Sequence, residues 1–251
     1  MVFVMCLSRA EKRNSVTTTT PRRRNDAPVY DRVVKMIFHG RYAPGDKLVE
    51  EQLATELGVS RVPIRETLSK LVGQGLLVGG NRGQGVRMRR YGMEEVRQLY
   101  EYREPLEGVA AAAAARRATS TDLTQMEMIC DQAQGEIDTL SPERWPDLDY
   151  HFHMALAEAS HNERIIGQMK LLLTECRYLF FIHPHPSQRK ATLEEGVAQL
   201  RDSHEDHMQL LELVRSQAPE EAERKERADM RKSADRFARL IVTGRLASEE
   251  T

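Results

Sequence analysis

Histidine and aspartate residues are concentrated in one short segment, PDLDYHFHMALAEASHN, which spans residues 146–162. Asp147 and His151 stand four residues apart, and so do Asp149 and His153. Side chains four residues apart share one face of an α-helix, so either pair could hold a divalent metal ion. The apolar stripe of the predicted helix runs between the two pairs, and periodicity alone does not decide between them.

A second segment, SHEDHMQLLELV at residues 203–214, carries two further histidines. His207 lies in the middle of an apolar stripe, and His204 lies about one helical turn before it. A histidine on an apolar helix face is either a hydrogen-bonded core residue or a ligand that faces the interior of a helical bundle. Both interpretations stay open at the level of periodicity.

A different chemistry is indicated by the segment ELGVSRVPIRETLSKLVGQGLL, residues 56–77. Arg61 and Arg65 are four residues apart near the start of a predicted helix, so they project from the same side. A planar guanidinium group can bind O6 and N7 of guanine together, or a phosphate. Ser60 and Thr67 could add phosphate contacts. The alternative is that both arginines are ordinary solvated residues.

The elements around these arginines have the order of a winged helix-turn-helix. The pattern predicts helices at Val29–His39, Val49–Leu57 and Arg61–Gly73, then two short strands at Leu76–Val78 and Val86–Arg89. In this arrangement the helix after the turn enters the DNA major groove. The hairpin tip, Arg82-Gly83-Gln84-Gly85, would bring a glycine backbone close to the sugar–phosphate chain.

From Met93 onward the pattern predicts consecutive helices. The predicted fold class is therefore mostly α: an amino-terminal winged helix-turn-helix with a small β-hairpin wing, followed by an all-α antiparallel helical bundle. Breaks between the later helices are predicted at Thr119–Thr121, Ser141–Pro142, Ser160–Asn162, His183–Ser187 and Gln217–Pro219.

Charge is distributed unevenly along the 251 residues, whose net charge is −1. Residues 21–90 hold fourteen Arg and Lys against seven Asp and Glu, and residues 91–251 are net acidic. A basic front half indicates a module that binds a polyanion. No apolar run approaches the roughly 20 residues of a membrane span, and three widely spaced cysteines indicate reduced thiols, so we expect a cytoplasmic protein with no membrane partner.

The residues from Ala43 to Val86 resemble the winged helix of the GntR transcription regulators, on the pattern LAteLGVSRvPIREtLskLvgqGLL followed by a glycine-rich wing. The all-α remainder resembles the FCD domain of the FadR subgroup. The resemblance implies that Arg61, Arg65 and the wing around Gly83–Gly85 contact DNA. Some relatives place a further DNA-contacting arginine just before the LA pair, where this chain has Glu51 and Gln52.

The FCD resemblance also implies a metal site. The family pattern D-x-x-F-H fits Asp149 to His153, and the family's EH helix fits the segment of His207. A further histidine of the family falls at Asp229 in this chain, which offers an oxygen ligand in its place. The implied ligands are thus Asp149, His153, His207 and Asp229, for zinc, manganese or nickel. The alternative is a degenerate, empty site.

Arg103 lies on the apolar stripe of the first predicted helix of the bundle. An arginine that faces inward needs an anion, which is either a structural carboxylate or a ligand. The resemblance implies organic-acid effectors, and Arg103 is the predicted effector-binding residue.

These features together predict a ligand-responsive DNA-binding regulator, expected to be a repressor. A palindromic double-stranded operator requires two recognition helices, so we expect a homodimer. The expected domains are a disordered basic arm at 1–27, the DNA-binding domain at 28–90, an effector-binding and dimerisation domain at 91–245, and a disordered tail at 246–251. The alternative function is a metal-dependent hydrolytic enzyme that uses the Asp/His cluster. Against it, the chain has no HExxH motif and no glycine-rich phosphate-binding motif.

Overall fold

The protein is described by a computed structural model that covers residues 28–79, 85–138, 145–182 and 193–249. The first part contains α1 (Val29–Phe38), β1 (Lys47–Leu48), α2 (Glu50–Leu57), α3 (Arg61–Gly73), β2 (Leu77–Gly79) and β3 (Val86–Met88). The second part contains α4 (Met93–Arg117), α5 (Ser120–Asp138), α6 (Trp145–Ala159), α7 (Glu163–Ile182), α8 (Leu193–Arg215) and α9 (Pro219–Glu249). This confirms the predicted fold class.

A tight turn joins α2 to α3 and sets the direction of the second helix. Gly58 has a φ of 64°, a left-handed conformation that glycine adopts without a Cβ clash. Ser60 precedes α3 in an extended conformation, and its side chain makes no capping hydrogen bond. Inside the domain α3 buries Ile64, Leu68 and Leu71 together with Thr67, so Arg61 and Arg65 face outward.

The wing is a three-stranded antiparallel sheet in the order β1-β3-β2. The β2–β3 hairpin was predicted from the sequence, and β1 was not, because two residues are too short for an alternating pattern. Leu48 of β1 is paired with Val86 of β3. The hairpin tip at residues 80–84 lies outside the described residues, and with it lie the predicted DNA contacts of Arg82, Gly83 and Gln84.

In the second part, α4 and α9 pack along each other. The run Ala110–Ala115 is buried, and its small side chains permit a close approach of the neighbouring helices. Helix α6 contacts α4, α5 and α7, while α8 contacts α4, α5 and α9. Phe152 of α6 stacks on His207 of α8, so these two helices also meet inside the bundle. The last helix runs to Glu249, past the predicted domain end at residue 245.

One apolar cluster extends from the winged helix into the bundle. It includes Val33 and Ile37 of α1, Tyr91 between β3 and α4, and Met169 and Leu173 of α7. The two parts thus share buried surface and are not separated by a solvated linker at residue 91. Among the described residues, no helix is long and apolar enough to cross a membrane.

Candidate metal centre and nucleic-acid interface

Three of the predicted ligands come together inside the bundle. Asp149 and His153 lie on α6 and His207 lies on α8, and one ligand atom from each falls within 4.8 Å of the other two. Oδ1 of Asp149 is 3.8 Å from Nε2 of His153 and 3.6 Å from Nε2 of His207. One carboxylate and two imidazoles form a ligand set that zinc and other divalent first-row metals accept.

Two carboxylates flank the other side of the His153 ring. Its Nδ1 lies 2.8 Å from Oε2 of Glu107 and 3.2 Å from Oε1 of Glu226. Two carboxylate neighbours favour a proton on Nδ1, which leaves Nε2 to face Asp149 and His207. Glu107 and Glu226 are buried, and no sequence pattern singled out Glu107 as part of the site.

The ring of His207 is fixed by aromatic stacking. It stacks on Phe152, with centroids 4.1 Å apart and planes 13° apart, and it faces Trp145 at 6.0 Å and 3°. These contacts restrict the ring rotation, so Nε2 is oriented toward Asp149. Trp145 belongs to the surroundings of the site, although the sequence analysis did not include it.

The pKa values of the two histidines are shifted in opposite directions. Burial alone would lower the pKa of His153, but the Glu107 and Glu226 carboxylates raise this pKa well above its usual range. Burial and the neighbouring His153 lower the pKa of His207 well below its usual range. Burial raises the pKa of Glu226 to about 7.

A second group of potential ligands, Glu107, His153 and Glu226, lies on the Nδ1 side of the same ring. There the guanidinium of Arg103 donates a hydrogen bond to Glu107. A divalent ion at that position would be close to a buried positive charge that has no other carboxylate partner among the described residues. The Nε2 side, with Asp149 and His207, is therefore the better metal position.

Asp229 is not part of either group, which corrects the predicted ligand set. Its carboxylate lines the same small cavity but accepts hydrogen bonds of 2.6 and 2.7 Å from Lys225, four residues earlier on α9. Lys225 also donates to Asp206, at 2.9 Å. The ammonium group of Lys225 engages this carboxylate in an ion pair, and Glu226 is the α9 carboxylate that reaches His153.

Arg103, the predicted effector-binding residue, is buried and has a structural anion. It is paired with Glu107, and its Nη1 donates a 3.2 Å hydrogen bond to the hydroxyl of Tyr100. Of the two alternatives drawn from the sequence, the structure contains the structural carboxylate. An i,i+4 pair of opposite charges on an apolar face was the available signal for this contact.

The predicted DNA-contacting side chains of α3 divide into exposed and buried ones. The side chains of Arg61 and Arg65 are 60% and 67% exposed, and Ser60 and Gly85 are also exposed. Thr67 is buried against the core of the domain, so its hydroxyl does not face a phosphate. A helix period of 3.6 places position 67 beside the apolar residues 64, 68 and 71, and the prediction for Thr67 was wrong for that reason.

Both arginines share one carboxylate. Nε and Nη2 of Arg65 donate to Glu50 at 3.1 and 2.9 Å, and Nη2 of Arg61 lies 3.6 Å from Glu50. The hydrogen bonds from Arg65 hold the pKa of Glu50 below its usual value. This arrangement fixes one edge of the Arg65 guanidinium and leaves its outer edge toward solvent. Glu50 was not recognised from the sequence.

A groove of about 580 Å³ lies between α3 and the wing. Lys47, Arg61 and Arg65 contribute positive charge to it, and Gly85 lies at its wing side. The lining also includes Glu50 and Glu51, and the exposed guanidinium groups of α3 face residues of β1 and β3 across it, an arrangement that suits a nucleic-acid strand.

Comparisons with known proteins identify the family of both parts of the chain. Residues 26–87 match the family described as bacterial regulatory proteins, gntR family, and residues 98–232 match the FCD domain. LutR of Bacillus subtilis is 34% identical over 164 residues, which cover 56% of this chain and 71% of LutR. An Escherichia coli protein named for the regulation of an L-lactate dehydrogenase operon is 34% identical over 170 residues, or 60% of this chain and 64% of that protein.

Among solved structures, Escherichia coli McbR/YncC has the same fold, with a TM-score of 0.69 at 20% identity over 84% of this chain and 95% of that chain. The winged helix, the helical bundle and both family matches lead to one assignment: the chain belongs to the gntR family of bacterial transcription regulators that carry an FCD domain.

Proposed function

We propose that this regulator is a homodimer that binds a palindromic DNA operator and releases it when a small organic acid enters the helical domain. The observation that carries the proposal is the convergence of Asp149, His153 and His207, backed by the buried Glu107 carboxylate. A carboxylate beside the ring nitrogen that does not face the metal is typical of a histidine metal ligand. It is unusual for a histidine in an apolar helical core.

The proposed ion is zinc, manganese or nickel. Two imidazoles favour these metals over calcium and magnesium, and Asp149 supplies a compensating negative charge. Three protein ligands leave at least one coordination position for an exogenous oxygen. Bound at that site, the ion would offer its open position to a carboxylate or hydroxyl oxygen of the acid.

The proposed acid is a short 2-hydroxy acid. The support is the name of one relative, which refers to an L-lactate dehydrogenase operon. The cavity beside the three ligands, of about 30 Å³, has room for about two water molecules, so the surrounding helices would have to move to admit such an acid.

The route from the acid to the DNA would pass through α6. Two residues before Asp149, the carboxylate oxygen Oδ1 of Asp147 accepts a 2.7 Å hydrogen bond from Nε of Arg177 in α7, and Nη2 of the same arginine lies 2.6 Å from this oxygen as an ion pair. The same guanidinium lies over the ring of Phe38 in α1, 4.6 Å from its centroid. A shift at the amino-terminal end of α6 would thus reach the DNA-binding part, and it can change operator affinity only if the acid prefers one of two arrangements.

The DNA surface is proposed to consist of Ser60, Arg61 and Arg65 with the wing at Gly85, and Arg82, Gly83 and Gln84 remain predicted members of it. The enzyme alternative has less support, because the family and the relatives are transcription regulators. Repression, rather than activation, follows from the assumption that the acid-free form has the higher operator affinity.

Three measurements test the proposal. They use protein that is purified without a chelator and from which the affinity tag has been removed. We expect operator binding by fluorescence anisotropy to weaken steeply between 50 and 200 mM salt, by about a thousandfold if some six phosphates are contacted. We expect elemental analysis to find up to one metal ion per chain, and sedimentation to give about twice 28.7 kDa. Operator affinity that does not depend on salt concentration would contradict the proposed DNA binding. A chain that neither retains nor takes up metal would contradict the proposed metal site.

A further inference from the structure

Val62 has the highest exposed fraction of any large apolar residue that the structure describes, at 62%. It is the second residue of α3 and lies between Arg61 and Arg65 in the first turns of that helix. A single exposed apolar side chain is common on protein surfaces, so its exposure alone indicates no function. The informative observation is the place of Val62 on the helix that follows the turn.

The direction of Val62 follows from the period of the helix. The face of α3 that packs on the domain core is defined by its buried residues, Ile64, Thr67, Leu68 and Leu71. At about 100° per residue, Val62 lies about 170° from the centre of that face, and Arg65 lies about 110° from it. Val62 therefore points directly away from the core, while Arg65 projects more to the side.

This outward direction decides what Val62 can contact on DNA. The outer face of a recognition helix enters the major groove, and the residues of its first turns meet the base edges. The other major-groove edges are read through hydrogen-bond donors and acceptors, whereas thymine also presents its C5-methyl group, which an apolar side chain can contact. Removing one methyl group from such a contact changes a binding constant by about fourfold.

Arg65 places this contact relative to a neighbouring base pair. Val62 and Arg65 are three residues apart, so their Cβ atoms are about 5–6 Å from each other. Successive base pairs are about 3.4 Å apart along the duplex. Because Arg65 is held by hydrogen bonds of 3.1 and 2.9 Å to Glu50, a guanine that it contacts has a fixed position relative to Val62.

We propose that Val62 is a specificity-determining residue that packs against the C5-methyl group of a thymine, within about two base pairs of the guanine contacted by Arg65. This assignment rests on the proposed function, in which α3 carries the DNA surface. It adds an apolar contact to a surface that otherwise consists of Ser60, Arg61, Arg65 and the wing. Thymine is thus preferred to uracil at that position.

The test uses a duplex that the wild-type full-length protein selects from a random double-stranded DNA library. Each thymine of this duplex is replaced singly by deoxyuridine, which removes the methyl group and leaves every hydrogen-bonding group in place. Fluorescence anisotropy at constant salt measures each affinity. We expect one thymine in each half-site at which the replacement weakens wild-type binding by about fourfold.

Val62→Ala should bind the unmodified duplex about fourfold or more weakly, and it should bind the deoxyuridine duplex with the same affinity as the unmodified one. Val62→Ile retains a β-branched apolar side chain and should retain the deoxyuridine effect. Since Val62 is mostly exposed, both variants should keep the wild-type melting temperature. Met128→Ala is the matched control, because Met128 is 57% exposed and lies on α5 of the bundle, and it should behave as the wild type does.

Two results would overturn the assignment in different ways. If no deoxyuridine weakens wild-type binding, or if Val62→Ala shows the same deoxyuridine effect as the wild type, Val62 does not read a thymine and the proposed DNA binding stands. If the wild type selects no duplex from the library, the proposed operator binding is wrong and so is the role of Val62.

Discussion

The hydroxyl of Tyr91 donates a hydrogen bond to the carboxylate of Glu175, and this contact joins the wing side of the DNA-binding part to α7 of the helical bundle. Tyr91 is 7% exposed, and the same hydroxyl lies 3.4 Å from the carbonyl of Gly75. Close by, the hydroxyl of Tyr178 donates to the carbonyl of Arg89 at 3.2 Å. Polar contacts between the two parts are therefore concentrated at this point.

Tyr91→Phe tests the strength of this contact. The substitution leaves the Glu175 carboxylate without its tyrosine donor in a largely buried position, and we expect a loss of about 1–3 kcal/mol in the free energy of unfolding. Tyr102→Phe is the matched control, because the Tyr102 side chain is half exposed and should change stability by less than about 0.5 kcal/mol. Denaturant titrations of the two variants give the comparison. If Tyr91→Phe and Tyr102→Phe have the same free energy of unfolding, the Tyr91 hydroxyl contributes nothing to the stability of the protein.

Glu175→Gln should change stability in a pH-dependent way. Burial raises the pKa of Glu175, against the opposing effects of Tyr91 and Arg89, so the folded state prefers the protonated form. The contribution of Glu175 to stability is then fully present below the ordinary glutamate pKa of about 4.3 and is lost as the pH rises through the raised value. Glutamine can accept the same hydrogen bond and does not titrate. The melting temperature of the variant relative to the wild type should rise from pH 4 to pH 8, and a difference that stays constant with pH would contradict this account.

Arg65→Ala should weaken specific operator binding by about 1–3 kcal/mol if Arg65 contacts a base edge. Binding to unrelated DNA should change much less, which separates base contact from phosphate contact. Arg97→Ala is the control, because Arg97 is an exposed arginine of α4 that is paired with Glu94 away from the recognition helix. Anisotropy titrations with operator and scrambled DNA measure both quantities. An unchanged operator affinity would remove Arg65 from the recognition surface.

Glu50→Gln addresses the carboxylate that Arg61 and Arg65 share. Without the negative charge the groove repels phosphates less, so binding to scrambled DNA should become tighter. The Arg65 guanidinium would also lose its fixed orientation, and the ratio of operator to scrambled affinity should fall by several-fold. Glu51→Gln, at an exposed neighbouring position, should change non-specific binding without changing that ratio as much. A ratio that is unaffected by Glu50→Gln would show that Arg65 is oriented by other contacts.

His207→Ala should abolish metal binding, because it removes one of three converging ligands. Asp229→Asn should leave the metal content near the wild-type level, since that carboxylate is engaged by Lys225 and lies outside the ligand group. Elemental analysis of both variants after dialysis against one equivalent of zinc distinguishes the two positions. Loss of zinc from Asp229→Asn would return Asp229 to the ligand set.

Much of this molecule follows from local pattern. The helices of the winged domain, the outward direction of Arg61 and Arg65, and the shared face of Asp149 and His153 depend on spacings of three and four residues, which a sequence displays directly. Contacts between segments that are distant in the sequence do not show up as such spacings. The approach of Glu107 to His153 and of Glu50 to Arg65 depends on how helices pack. The pairing of Asp229 with Lys225 is instead a local contact between residues four apart on α9, which their spacing could have indicated.

The shared apolar cluster makes the two parts of the chain mechanically and thermodynamically dependent on each other. Val33 and Ile37 of the winged helix are buried in the same cluster as Met169 and Leu173 of α7. A winged helix excised from this chain would expose that apolar surface to water and would be prone to self-association. Heat should consequently melt the whole chain in a single transition, and this DNA-binding part could not be attached to a foreign sensor domain without repacking the surface it leaves uncovered.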